Sequence, residues 1–374
     1  MGPPIKLCVV NRNYPPDQGP TGEEAAQLIS WLRAYGQFEI SVVSVSKEES
    51  LAAHLRVRRR YNGKNKFRRL ISSILEGLEL VIKSKRLNAD TYIILTDPPF
   101  LNLWASIFLR KKIWLLWVMD IYPDAFVANQ LVSRKNIFFR IYRWILKRYP
   151  PNQLICLGEQ QAEFLKEIYF PGIATHILPA GVKSELDEMT HSGNQPIWYQ
   201  ENYTYWGYIG SVGEAHDADF LIALIRSLDP ASSRFVLSCS GVKSTHLKDA
   251  VRDLEAVVFL DRIPDKEMKL IDIQVVSLLH PWTHICVPSK ALSALCFGSA
   301  VVFHGRQDSD TWQYVQEAGW LVETKSGIVT FIEGLSESEL KKKKSKTDES
   351  VRKLREVKKR AYHSIASFLE SSHQ

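Results

Sequence analysis

Cysteine and methionine are scarce, at five and four among 374 residues. The cysteines, Cys8, Cys156, Cys239, Cys286 and Cys296, are odd in number, scattered and mostly set in apolar runs, and no C-x-x-C pair occurs. This distribution excludes a disulfide framework and predicts reduced, buried thiols in a cytoplasmic protein. Long unbroken apolar runs are also missing. The most apolar stretch, Leu101 to Val118, is interrupted by Arg110, Lys111 and Lys112, so no segment reads as a bilayer span. The first residues run Met1-Gly2-Pro3-Pro4 into Ile5–Val10, without the basic-then-apolar pattern of a signal segment. No repeat at solenoid spacing is apparent.

What is present suits a folded protein. A chain of 374 residues, 45% hydrophobic and 24% charged, predicts two ordinary globular domains. The net charge of +7 is unevenly spread: residues 1–190 carry 26 lysines and arginines against 18 acids, the remainder 22 against 23. The first half is therefore expected to face an anionic partner.

Apolar runs alternate with helical periodicity throughout. In the first half, strands are predicted at Ile5–Val10, Phe38–Val45, Thr91–Thr96, Ile113–Met119, Gln153–Leu157 and Ala174–Leu178, separated by helical stretches such as Gly22–Tyr35, Phe67–Lys85 and Asn136–Arg148. After a polar stretch, Lys183–Pro196, a second series follows, with strands at Thr204–Gly210, Arg234–Cys239, Ala256–Leu260, Ile273–Leu279 and Ala300–His304. This order reads as two Rossmann-like α/β domains in tandem, each a parallel sheet that binds ligands at the carboxyl ends of its strands. The end, Ser336–Gln374, reads as a charged, strandless tail with a solvated Lys341–Lys344 run and one helix from about Ser350 to Leu369.

Four stretches carry chemistry. Gly210-Ser211-Val212-Gly213 puts two glycines after a strand and before a helix, where backbone can approach a phosphate; a plain tight turn is the alternative. In Pro288-Ser289-Lys290, Ser289 is a natural N-cap. Lys290 in the first helical turn opposes the helix dipole unless an anion binds there; a surface lysine beside a capping serine is the other reading. Asp120, at the exit of an apolar strand before Pro123, is placed to orient or deprotonate a hydroxyl, or to cap the next helix. The loop Asn13–Gly22 is long for a βα connection, as binding loops often are.

Taken together and in this order, these stretches resemble the retaining GT-B glycosyltransferases of family 4. The match runs through Tyr14–Gly22, Asp120–Asp124, Gly210–Gly213 and Pro288–Val302, with weaker echoes at Ser240–Lys243 and Leu260–Pro264. The resemblance implies GT-B architecture: two Rossmann-like domains facing across a cleft, with a C-terminal closing helix. Residues 1–190 would form the acceptor domain and 191–340 the nucleotide-sugar domain, with 341–374 packing back toward the first. It further implies sugar transfer from a nucleoside-diphosphate sugar with retention, with no metal and no other cofactor. Gly210, Ser211, Gly213, Lys243, Arg262, Ser289, Lys290 and Ser293 would meet the donor, and Asp120 and His284 would act in catalysis. The chain departs from the family pattern at two places, carrying Ser293 and Ile285 where glutamates are usual. A catalytically degenerate GT-B subunit and a sugar-nucleotide epimerase are therefore the rival readings. His280, His284 and Cys286 have no fourth ligand at sensible spacing and do not read as a metal site.

The first half's excess charge is concentrated. Eight of the fourteen residues from Arg56 to Arg69 are lysine or arginine. Asn136–Arg148 sets Ile137, Phe138, Ile141 and Ile145 against Arg140, Arg143, Lys147 and Arg148 at helical spacing. A peripheral contact with an anionic membrane is expected, at the inner face of a cytoplasmic membrane, with a glycan or lipid-linked acceptor. An ordinary solvated face is the alternative. No nucleic-acid module is recognisable, so no nucleic-acid partner is expected.

Overall fold

The computed structural model describes residues 3–15, 19–45, 54–57, 66–183 and 195–373. The chain divides into two compact units, one of Met1–Ala180 with Val357–Gln374 and one of Gly181–Glu356. The later boundary falls inside a helix at Glu356/Val357, and not at 340/341 where the charge pattern changes.

The first unit runs β1 (Ile5–Val10), α1 (Pro20–Tyr35), β2 (Phe38–Ser44), β3 (His54–Arg56), α2 (Lys66–Arg86), β4 (Thr91–Leu95), α3 (Leu101–Phe108), β5 (Ile113–Val118), α4 (Asp124–Ala128), α5 (Ile137–Arg148), β6 (Gln153–Cys156), α6 (Glu159–Ile168) and β7 (Thr175–Ile177). Its seven strands are all parallel, in the order β3-β2-β1-β4-β5-β6-β7. Runs such as TYIIL in β4 and IWLLWV in β5 are apolar on both faces because helices cover both sides of the sheet. Trp114, Trp117 and Tyr92 are fully buried there, each contributing roughly 2–3 kcal/mol through the area removed from water.

The second unit runs β8 (Thr204–Ser211), α7 (Ala218–Ser227), β9 (Ser233–Ser240), α8 (Ser244–Ala250), β10 (Val257–Phe259), α9 (Asp265–Met268), β11 (Ile273–Ser277), a 3-10 turn at His280–Trp282, α10 (Ser289–Cys296), β12 (Ala300–His304), α11 (Asp310–Val315), β13 (Gly319–Leu321), α12 (Gly327–Gly334) and α13 (Glu337–Lys344). Its six strands are also parallel, in the order β10-β9-β8-β11-β12-β13. Trp206, Tyr208, Phe220 and Phe235 fill the core on one side of this sheet. In each sheet the strand order reverses once, at β1/β4 and at β8/β11, and such switch points open a crevice at the strands' carboxyl ends.

The tail departs from expectation. α13 precedes a longer final helix, α14 (Thr347–Ser371), which passes from the second unit into the first. The Lys341–Lys344 run is not merely solvated. Lys344 pairs with Asp272 at 2.6 Å, Lys343 donates to the Gln316 carbonyl at 3.0 Å, and Lys341 and Lys342 pair with Glu337 and Glu339. In the first unit, the buried Lys358 of α14 donates to Glu24 at 2.9 Å and to Gln27 at 2.7 Å, both on α1.

Candidate functional site

At the β8/β11 switch point, β8 ends in Gly210 and Ser211, and α10 begins close by. Gly210 has φ +115, a backbone setting that L side chains rarely adopt, and this turns the chain toward Lys290. The Lys290 ammonium donates to the Tyr208 hydroxyl and to the Ser211 carbonyl, both at 2.6 Å. It also lies 4.3 Å from the centre of the Tyr208 ring. Tyr208 in turn donates to the same Ser211 carbonyl at 2.9 Å. Lys290 is half-buried, and loss of hydration lowers it to about 7, with the Cys286 and Cys239 thiols pulling the other way. Among the described residues no carboxylate pairs with it. A cation held this way, without a counter-ion, is a receptor for an anion.

Two neighbours shape the loop beside it. His216 accepts the Gly213 amide on Nδ1 at 3.0 Å, which leaves the ring proton on Nε2. Burial first, then the charges of Lys290 and Lys243, push His216 well below its usual range, so it is neutral. Lys243 donates to the carbonyls of Glu214 and His216 at 2.9 and 2.7 Å and so fixes the loop that follows Gly213. At α7, Asp217 accepts the Phe220 amide at 2.9 Å as N-cap, and His304 stands 3.4 Å from its other oxygen.

The remaining expected site residues are engaged elsewhere or set apart. Ser289 is not the N-cap of α10. Pro288 takes that place without a side-chain cap, because Ser289 is already the first helical residue. The Ser289 carbonyl instead approaches Gly181 so closely that a Cβ there would lie 2.1 Å from it, and Gly181 has φ +90. Ser293, one turn on, donates to the Gly181 carbonyl at 3.0 Å, so its hydroxyl is engaged in holding this strap. The Gly213 amide is likewise committed, to His216. Arg262 is exposed between β10 and α9, two strands from β8. His284 lies before α10, with Nε2 3.7 Å from Asp308, whose carboxylate is lowered chiefly by its hydrogen bonds from Arg306.

In the first unit, the β1/β4 switch point gathers a polar group that sequence reasoning only partly identified. Asp120, just past β5, is pushed up to about 7, by burial first and then by the negative charge of Asp97. The amides of Met119 and Asp120 donate to Thr96 Oγ1 at 3.0 and 3.1 Å, which sets the strand exit. Pro123 takes the N-cap of α4, so Asp120 does not cap that helix. Asp97 is held by Arg12 at 3.3 Å and by the Asn13 amide at 2.9 Å, and Arg12 also pairs with the buried Glu76 at 3.1 Å. Asp97, Arg12 and Asn13 were open to discovery, since each lies one to three residues past a strand end, where ligand-facing groups of parallel sheets collect. Residues 16–18 of the proline-rich loop, and Arg58 to Asn65 of the basic stretch, lie outside the described residues. Among the described residues no three His, Cys, Asp or Glu side chains gather as a metal site, and no helix is long and apolar enough to cross a membrane.

No protein-family model matches the chain, and no curated protein matches it. Solved structures do. Sucrose-phosphate synthase from Thermosynechococcus elongatus aligns over 98% of both chains at 13% identity, with a TM-score of 0.74. WaaG, a glycosyltransferase involved in lipopolysaccharide biosynthesis, aligns over 97% of this chain and 99% of its own at 15% identity and a TM-score of 0.68. HepE from Anabaena, solved with UDP and glucose, aligns over 97% and 100% at 12% identity and a TM-score of 0.66. Such likeness at low identity establishes the fold: two Rossmann-like units and a long final helix, the GT-B architecture, over the whole chain.

Proposed function

We propose that this chain is a glycosyltransferase that moves a sugar from a nucleoside-diphosphate sugar to a hydroxyl acceptor. The observation that carries the reading is Lys290, a desolvated ammonium without a carboxylate partner at the β8/β11 switch point. When the glycosidic carbon–oxygen bond of the donor breaks, the electron pair passes to the diphosphate oxygen. A preorganised cation in a dry setting stabilises that charge most strongly as it develops. The acceptor oxygen forms the new bond to the same carbon, and its proton passes to a base. Asp120, close to half-ionised at pH 7, suits that part.

Three finer points belong to the proposal. The counter-charge is a protein cation, so transfer is expected to persist in a metal chelator. Retention of configuration is supported by the collinear resemblance to family 4. A glycan or lipid-linked acceptor is supported by the positive charge carried by residues 1–190.

The test is a thermal-shift screen of UDP-, GDP-, ADP- and TDP-sugars and their bare diphosphates, followed by product analysis with the responder. A bound ligand raises the melting temperature by mass action. Sugar appearing on an added acceptor with release of the diphosphate supports the reading. Free isomerised nucleotide sugar identifies an epimerase instead. Absence of any responder favours a non-catalytic subunit, the reading suggested by Ser293 and Ile285.

A further inference from the structure

Helix α5 has two apolar faces, and only one of them is used by the fold. Phe139, Tyr142 and Leu146 are buried, at the spacing of one stripe facing the core. On the opposite side Ile137, Ile141 and Trp144 form a second stripe, 67%, 51% and 60% exposed, while Phe138 between the two packs its ring on Phe100 and Tyr142. A helix that serves only its own domain has no reason to carry Trp144 and two isoleucines in water. Isolated exposed apolar residues are ordinary, but three of them at i, i+4 and i+7 on one helix face are not.

The charges around this stripe are of one sign. From Arg134 to Arg148 there are six cations and no acid. Arg134 reaches Asp124 only at 3.8 Å, and Arg143 is drawn onto the Tyr169 ring. Among the described residues Lys135, Arg140 and Lys147 form no ion pair. Arg134, Arg140, Arg143 and Lys147, with Trp144, line an open depression of about 650 Å³. A second helix repeats the theme: α2 exposes Leu70, Ile71 and Leu75 just after the exposed Arg68 and Arg69, and α3 packs between α2 and α5.

We infer that the exposed face of α5 docks this chain on an anionic lipid bilayer. Ile137, Ile141 and Trp144 enter the boundary between headgroups and acyl chains, where an indole is favoured. The long stems of the flanking arginines and lysines bring their charges back to the lipid phosphates, which the basic depression receives. Charge complementarity selects this occupant. A protein partner would need an acidic surface ringing an apolar core, whereas a bilayer with anionic headgroups supplies both everywhere. The inference deepens the acceptor half of the proposed function. Its readout is binding without turnover, so a chain that transfers sugar but ignores vesicles is told apart from one that docks and transfers nothing.

The test is co-sedimentation of the full chain with phosphatidylcholine vesicles, with and without phosphatidylglycerol, at low ionic strength. Binding that requires the anionic lipid and falls with added salt is expected. Ile141→Ala/Trp144→Ala should weaken it more than tenfold, and Arg140→Gln/Lys147→Gln about 25-fold, taking each cation as about fivefold. All four side chains are at the surface, so unchanged circular dichroism should accompany both losses. The inference is overturned if the parent chain does not sediment, if neutral vesicles serve equally, or if either double variant binds like the parent. A dimer that Ile141→Ala/Trp144→Ala dissociates, with no vesicle binding, would overturn it too and assign the face to a second copy.

Discussion

The Lys290 ammonium of α10 donates to the Tyr208 hydroxyl of β8 at 2.6 Å and lies 4.3 Å from the centre of its ring. The contact ties the start of a helix to the end of a central strand and holds a cation where the sheet's crevice opens. Tyr208 supplies an oxygen and a π face but no negative charge, so the lysine is positioned without being neutralised.

This arrangement costs the empty protein stability. Lys290 is lowered by burial from 10.5 to about 7, so between those values the unfolded chain binds more protons than the folded one. Stability therefore rises with pH across about 7 to 10.5. Lys290→Met removes both the cost and the slope. Its melting temperature at pH 7 is expected to be higher by about 2–4 °C, for a gain on the order of 1 kcal/mol. Calorimetric scans at pH 7 and pH 10 check this; a lower melting temperature with the slope retained would contradict it.

Binding should show the opposite dependence. A diphosphate binds the protonated amine, so the amine contributes to affinity below about 7, and affinity weakens as pH rises through that value. The dissociation constant of a responding nucleoside diphosphate should increase by close to tenfold per pH unit above 7, until the raised amine value of the complex is reached. A dissociation constant flat from pH 6 to 9 would remove Lys290 from the site.

Asp120 behaves in the reverse sense. Its folded value of about 7 stands above its ordinary 3.8, so the folded state binds the extra proton between the two and stability falls as pH rises through that window. Asp120→Asn should raise the melting temperature at pH 8 more than at pH 4, while lowering transfer by at least about a hundredfold if Asp120 takes the acceptor proton. Equal shifts at both pH values would show that its burial is not what sets its titration.

The buried Lys358–Glu24 pair joins α14 to α1. Lys358→Ala removes the buried ammonium that Glu24 and Gln27 share and should cost about 3 kcal/mol in urea unfolding, with earlier proteolysis of the last turns of α14. Glu24→Leu/Lys358→Met should restore most of that loss, since apolar replacements of a buried pair are often neutral. A single variant as stable as the parent would mean the pair is solvated.

Much of this fold was legible because parallel strands buried on both faces must be apolar throughout. TYIIL, IWLLWV, IQVVS and AVVFH announce themselves. The three-residue edge strands β3 and β13 carry no such run and were not legible. At the site, the glycines and Pro288-Ser289-Lys290 were visible as local patterns, whereas the partners were not. Nothing in spacing says that Lys243 turns inward to two carbonyls, that Ser293 bonds Gly181, or that Asp97 adds to burial in raising Asp120, since each joins residues distant in sequence. Tyr208 had one available signal: it shares a strand face with Gly210, two residues on.

The central claim is that Lys290 receives the donor diphosphate. Isothermal calorimetry at pH 6.5, with the nucleoside diphosphate that stabilises the parent chain, compares the parent with Lys290→Ala. Loss of a charge-assisted contact at a desolvated site predicts a dissociation constant weaker by about 30-fold or more, corresponding to about 2 kcal/mol. A value within twofold of the parent's would contradict the claim.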